Sequence, residues 1–274
     1  MAALDPYGVT DELEDALLDV MVTRLESRAK HWFFRKVMRE YLDVIEIDSV
    51  GTVLEVGCGT GVAARTIARR AGFTGRITGI DLSPYLLQAA RRLADQEGLG
   101  KLVEFRAGDT RDLDIPADSF DAVVAHTLVS HVDDPLAVIE EAGRVVKPGG
   151  LIAIFDGDYA SMTFALKDPA LSKKYDEALI DAIVTSPRVM RQMPRLFRRT
   201  GLEMVEMIPY VMAEVGEGDF WLSGIDSFEK LAPKSGAMTE EEATGWAAAL
   251  HEASESGVFF AASNYYTYIA RRAA

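Results

Sequence analysis

The sequence predicts an α/β fold, a mostly parallel sheet with helices on both faces, and three observations carry that reading. Short β-rich runs alternate with helical runs of about 10–15 residues between Thr52 and Phe155, the order that lays strands in parallel and covers both faces of a sheet. The first of these strands runs into a glycine-rich loop, Gly57-Cys58-Gly59-Thr60-Gly61, immediately before a helix. The chain has 274 residues, 49% of them hydrophobic, and no Pro/Gly/Ser-rich linker divides it, so one domain is expected over 1–274.

From Thr10 to Glu46 apolar residues recur at helical spacing (Leu13, Ala16, Leu17, Val20, Met21, then Trp32, Phe33, Val37, Tyr41), which predicts two or three helices. The period then changes. Thr52 to Val56 reads as a strand, Val62 to Ala71 as a helix, Arg76 to Ile80 as a second strand and Ser83 to Glu97 as its helix. Val103 to Arg106 and Phe120 to Ala125 are the third and fourth strands, and Pro135 to Val146 is the next helix. Lys147-Pro148-Gly149-Gly150 reads as a turn before a fifth strand, Leu151 to Phe155. Beyond it the pattern predicts helices over Asp168 to Ile183 and Arg188 to Thr200, a strand over Met204 to Met212, a helix over Thr239 to Ser254 and a final strand over Phe259 to Ala270. Gly201 suits a helix C-terminal cap.

Charge narrows the partners. Twenty-nine basic against 43 acidic residues leave a net −14, a surface that repels phosphate backbones and anionic lipid, so neither nucleic acid nor membrane is expected and a small molecule is. Arg188, Arg191, Arg195, Arg198 and Arg199 fit one face of a helix and read as a solvated face. The single cysteine, Cys58, excludes an internal disulfide and predicts a reducing, cytoplasmic setting. Met1 to Thr10 has neither a basic n-region nor an apolar h-region, and no apolar run is long enough to span a bilayer. Oligomeric state is left open.

Glycines between a strand and a helix let the backbone turn sharply and approach a ligand, while the helix start offers unpaired N–H groups. The usual dinucleotide fingerprint has two residues between its second and third glycines; here Thr60 stands alone, which counts against NAD or FAD. About 20 residues after Gly61 comes Asp81, ending the second strand, where a carboxylate can accept hydrogen bonds from both hydroxyls of a ribose. Gly108-Asp109-Thr110 follows the third strand and could meet an adenine amino group, and Asp118 to Val124 leads into the fourth.

In this order, Leu54 to Gly61, Gly79 to Ser83, Gly108-Asp109, Asp118 to Val124 and Arg144 to Gly150 resemble the class I S-adenosylmethionine-dependent methyltransferases, most of all the small-molecule branch similar to ubiquinone and menaquinone biosynthesis methyltransferases. The resemblance is close over about Ser49 to Phe155. It implies a Rossmann-like, seven-stranded sheet whose last strand is antiparallel, with helical inserts after strands 5 and 6. It divides the chain into an N-terminal helical lid (1–46), a cofactor-binding core (47–158) and substrate-side helices and final strands (159–274). Glu55, Gly57, Cys58, Gly59 and Gly61 would line the methionine end of S-adenosylmethionine, with Cys58 a loop filler and not a nucleophile. Asp81 would hold the ribose, Leu82 would lie against adenine, Gly108, Asp109 and Thr110 would face its edge, and His126 would border the cofactor.

Methyl transfer from a sulfonium is an in-line displacement with a neutral leaving group, so alignment comes first and a base is needed only for an acceptor with a high-pKa proton. His126 and His131, both after the fourth strand, are candidate bases, His131 matching the histidine of an HV-x-DP segment frequent in the resembling family. Asp156 and Asp158, just past the fifth strand, are candidates to orient a hydroxyl or amine; a metal site is not expected, because only this carboxylate pair is visible. Inserts around Ser161 to Pro194 and Gly216 to Gly257, rich in Met and aromatic residues, suit a lipophilic or aromatic acceptor. Two other readings stand beside the methyltransferase: a non-methylating cyclase or binding scaffold using the same cofactor site, and a nicotinamide oxidoreductase, which the loop spacing disfavours.

Overall fold

Helix α1 (Asp15–Lys30) ends at His31, whose extended backbone breaks the helical path and whose imidazole accepts from the Phe33 N–H to cap α2 (Trp32–Val44). The two helices bury different amounts. Six side chains of α2, Phe33, Phe34, Val37, Met38, Tyr41 and Leu42, recur at helical spacing and are all buried, whereas α1 buries only Leu18 and Met21 and leaves Leu17 and Val20 more than half exposed. These features belong to a computed structural model that describes residues 5–180 and 182–274. Met1 to Leu4, and Asp181 within the helix expected over Asp168 to Ile183, lie outside the described residues.

The described residues build one seven-stranded sheet from β1 (Thr52–Val56), β2 (Arg76–Asp81), β3 (Val103–Ala107), β4 (Phe120–His126), β5 (Val146–Phe164), β6 (Glu203–Gly216) and β7 (Phe259–Arg271). Its order is β3-β2-β1-β4-β5-β7-β6, and β7 runs antiparallel to both of its neighbours while the other pairs are parallel. Helices α3 (Val62–Ala68), α4 (Pro84–Gln96) and α5 (Pro135–Val145) make the crossovers, the latter two capped by the Ser83 and Asp134 side chains with proline in the first turn. This is the Rossmann-like methyltransferase fold that the motifs imply, with α6 (Pro169–Ile180) and α7 (Met193–Thr200) inserted after β5, and α8 (Phe220–Ser235) and α9 (Glu240–Glu255) after β6.

Central strands carry runs such as Ala122-Val123-Val124-Ala125 that are buried on both faces, as a covered parallel sheet requires. One face packs on α2, α3 and α4 through Tyr41, Ile67, Leu87 and Phe155; the other packs on α5 and α7 through Val123, Ile139, Met193 and Phe197. Strand order reverses between β1 and β4, which opens a crevice at their carboxyl ends.

Three elements differ from expectation. The fifth strand is longer at both ends: it begins at Val146, which pairs with Phe120, so Lys147 to Gly150 lies within it and not in a separate turn, and it continues past Phe155 to Phe164, where β7 pairs with it across a bulge between Asp158 and Thr163. The helix expected over Arg188 to Thr200 is split into a 3-10 turn, Val189–Arg191, and α7, which starts beside Pro194. The helical insert expected after strand 6 holds a second helix besides the one read over Thr239 to Ser254: α8, whose bounds the apolar spacing does not mark and which carries Gly224 and Pro233 within it.

Candidate active site

The loop after β1 is held from behind. The Glu55 carboxylate accepts from the Ala63 and Ala64 N–H groups (3.3 and 2.7 Å), so it closes the start of α3, and burial raises its pKa to about 8. Gly59 has φ +52 and donates its N–H to one Asp81 oxygen at 2.7 Å, while the Ser83 N–H donates to the other at 2.9 Å. Asp81 is thereby fixed with its remaining lone pairs toward the crevice, and burial, opposed by these N–H groups, pushes its pKa up.

The crevice holds a cavity of about 260 Å³ lined by Glu55, Gly57, Cys58, Gly59, Asp81, Leu82, Asp109, Thr110, His126 and His131. Gly61 and Gly108 are not on its wall. A Cβ on Gly61, at φ +73, would sit 2.5 Å from the Phe105 ring, so this glycine serves helix packing, and Gly108 donates its N–H to the Asp81 carbonyl. The Asp109 carboxylate, expected at the adenine edge, is engaged by the Arg111 guanidinium, which also reaches Asp133.

A second cavity, of about 500 Å³, abuts the first and shares Tyr7, Leu25, Arg28 and His131 with it. Its wall carries the rings of Tyr159, Phe220, Trp221, Phe228 and Tyr265.

The two histidines after β4 have opposite surroundings. His126 is buried, stacks on Phe155 with ring centroids 4.8 Å apart and is hydrogen-bonded through Nδ1 to the Tyr41 hydroxyl. Burial, helped by the Arg28 charge, lowers its pKa to about 3, so it is a neutral imidazole at any ordinary pH. His131 lies 2.9 Å through Nδ1 from the Asp5 carboxylate, which also accepts from the Thr185 N–H and hydroxyl at 3.0 Å. Burial pulls the His131 pKa down, and the Asp5 charge and hydrogen bond more than offset it, leaving the pKa above its ordinary value. Its Nε2 has no hydrogen-bond partner among the described residues.

The two carboxylates past Phe155 do not reach either cavity. Asp156 is fully buried and accepts from the Ser130 N–H, the Ser130 hydroxyl and the Gly157 N–H; Asp158 pairs with Arg191. Their oxygens are engaged by the loop after β4 and by the 3-10 turn Val189–Arg191.

Residues 54–154 match the family model of a methyltransferase domain. Over 104 residues, 38% of this chain, the sequence is 42% identical to phosphatidylethanolamine N-methyltransferase of Cereibacter sphaeroides, a match that spans 49% of that protein's length. Over 266 residues, 96% of this chain and 72% of the relative, it is 29% identical to an uncharacterized 37.1 kDa protein in transposon TN4556 of Streptomyces fradiae. The YcgJ protein of Bacillus subtilis has the same fold, with a TM-score of 0.61 and 16% identity over 88% of this chain and 99% of that one. The chain is thus similar to methyltransferase domains in sequence over residues 54–154, and over most of its length the likeness is one of fold.

The crevice has two features that a nucleoside ligand needs, a carboxylate for a diol and a loop free of side chains. Asp81 at the end of β2 offers carboxylate lone pairs to a diol, and a Cβ on Gly59 would intrude to 3.2 Å from Leu25 across the loop. The resemblance laid residues 1–46 over the cofactor as a lid but singled out none of Asp5, Tyr7 and Arg28, which the fold brings to the cavity wall. No motif surrounds them, and a charge on an amphipathic helix, as Arg28 is, reads as solvated. Thr127, a β-branched residue at φ +57 directly after His126, was also missed.

Proposed function

We propose that the chain transfers a methyl group from S-adenosylmethionine, bound in the smaller cavity, to an apolar small molecule bound in the larger one, and that His131 takes the acceptor's proton. The observation that carries this reading is the position of His131 on both cavity walls, with Nδ1 engaged by Asp5. If Nδ1–H donates to the carboxylate, the neutral tautomer leaves Nε2 as the basic nitrogen, and Asp5 stabilises the imidazolium once a proton has been received. His131 is then the catalytic residue and Asp5 a positioning residue. When bound, the cofactor supplies an activated methyl group on sulfur; the chain's own residues align, exclude water and hold a proton.

His126 has a different role in this reading. A neutral ring with so low a pKa cannot accept a proton near neutrality, so it borders the methionine end as a packing and hydrogen-bonding group. The N-terminal segment through α1 lines the cofactor cavity with Asp5, Tyr7, Gly8, Val9 and Thr10 and is the part suited to act as a lid; α2 is built into the core.

Isothermal titration of the chain with S-adenosylmethionine and with NAD tests the cofactor. Binding of the first in the micromolar range and none of the second is expected, and the reverse would sink the proposal. Release of S-adenosylhomocysteine in the presence of apolar hydroxyl-bearing acceptors distinguishes methyl transfer from a cyclase or scaffold use of the same site.

A further inference from the structure

Arg28 differs from three other guanidiniums near the site. Arg65 is clasped by Glu26 and Glu97, Arg70 by Asp43 and Asp48, and Arg111 by Asp109 and Asp133. Arg28 is half-buried, lies 5.4 Å from the Phe34 ring centroid and donates one hydrogen bond, to the Thr127 hydroxyl at 2.7 Å, with no carboxylate partner among the described residues. A guanidinium carries five N–H donors in a planar fork, so most of this one's donor capacity is uncommitted beside a space a ligand can enter.

The wall of the larger cavity extends the same pattern. Arg24, Arg28 and Lys30 line it against one carboxylate, Asp219, and none of the three cations has an ion-pair partner among the described residues. In a chain of net charge −14 this is a local reversal of sign. The Arg28 charge is felt across the cavity, where it favours the ionised form of both Tyr159 and Tyr265 against burial. Low-dielectric aromatic walls strengthen such a field, because little water is present to screen it.

Resting on the methyltransferase reading above, we infer that the larger cavity binds an aromatic or polycyclic acceptor that carries an anionic oxygen group, and that Arg28 receives that group. The rings supply area for a flat apolar body, and the fork supplies a charge-assisted hydrogen-bond pair that an uncharged acceptor would leave unmet. The strained Thr127 fixes one edge of the fork, since its hydroxyl, on the wall of the smaller cavity just past β4, holds one nitrogen of an Arg28 that lines both cavities.

The test uses two matched fluorescent probes, 1-anilinonaphthalene-8-sulfonate and its uncharged analogue N-phenyl-1-naphthylamine, titrated into the full chain saturated with S-adenosylhomocysteine. The anionic probe should bind at least about tenfold more tightly than the neutral one. Arg28→Met should weaken the anionic probe about tenfold and leave the neutral probe and S-adenosylhomocysteine within about twofold, the size of one charge-assisted pair. Arg28→Lys, which keeps the charge and changes the shape, should recover part of the loss. Equal affinity for both probes would overturn the inference, as would an Arg28→Met variant that weakens both probes alike. A tenfold loss of S-adenosylhomocysteine with the anionic probe unchanged would also overturn it, assigning Arg28 to the cofactor. Because the readout is probe binding, failure here is separable from failure of the methyltransferase reading, which would show as no S-adenosylhomocysteine affinity or as no S-adenosylhomocysteine release with any acceptor.

Discussion

Asp5 and His131 are 126 positions apart in the chain and 2.9 Å apart in the fold. The carboxylate is almost fully buried and is held by Thr185 as well, so the start of the chain, the loop after β4 and the segment after α6 meet at one imidazole. Buried pairs of this kind are costly to break from one side, because the remaining charge is left without solvent or partner.

For catalysis the pair has a defined pH signature. His131 must be neutral to accept a proton, so turnover should rise with pH through a pKa above the ordinary histidine value. Asp5→Asn removes the charge that raises this pKa, so the acidic limb of the kcat profile should move to lower pH while kcat falls. His131→Ala should lower kcat by about 10²–10⁴-fold with cofactor affinity nearly unchanged. An unmoved acidic limb in Asp5→Asn would separate Asp5 from the base.

His126 makes the contrasting case. Its pKa of about 3 lies below any working pH, so His126→Asn should leave the acidic limb where it is. A limb that disappears in this variant would transfer the base to His126.

The same His131–Asp5 pair should show in stability. A histidine with a raised folded pKa contributes stability that is fully present below its unfolded value near 6.5 and is lost as pH rises through the folded value. Asp5, with a lowered pKa, contributes above about 3.8 and loses that contribution as pH falls through its folded value. Unfolding midpoints of the parent and of Asp5→Asn should therefore differ most between these limits and converge at either side. A constant difference across pH would mean that the contact is not electrostatic.

The glycines of the loop should separate by role. Gly61→Ala meets the Phe105 ring at 2.5 Å in a left-handed backbone and should cost about 1–3 kcal/mol of stability by denaturant unfolding. Asp81→Asn keeps one acceptor for the loop N–H groups and should weaken S-adenosylmethionine about 10–100-fold by calorimetry with little change in the unfolding midpoint. Equal cofactor affinity in parent and Asp81→Asn would remove Asp81 from the site.

Amide exchange should divide the N-terminal helices. With S-adenosylhomocysteine, residues 5–30 should gain protection, since they line the cavity and bury little, while α2 should change little because its six buried side chains are already core. Uniform protection across both helices would mean that they move as one unit.

How much of this was legible beforehand follows from range. Glu55, the loop glycines and Asp81 lie within about 30 residues of one another in a strand–helix–strand unit, and their spacing alone fixes which end of the sheet they share. The sheet itself was legible for the same reason: alternation of short β-rich and helical runs is a local signal, and it determined the parallel core and the carboxyl-end crevice. The acceptor side was not. Asp5, Arg28 and Thr185 carry no periodicity or motif that distinguishes them from surface residues, and their roles depend on α1 and the insert after β5 packing against the far end of β4. Asp156 differs in the other direction: its expected strand-end position suggested substrate contact, yet the strand runs on past it and the Ser130 loop and the Gly157 N–H engage its oxygens. Sequence by itself determined the fold and the glycine-loop end of the crevice, because short-range patterns encode them. Tertiary structure decided which imidazole has its pKa raised and which has it lowered, which carboxylates are engaged and which guanidinium meets a hydroxyl instead of a carboxylate, because burial and pairing are set by segments about 100 residues or more apart.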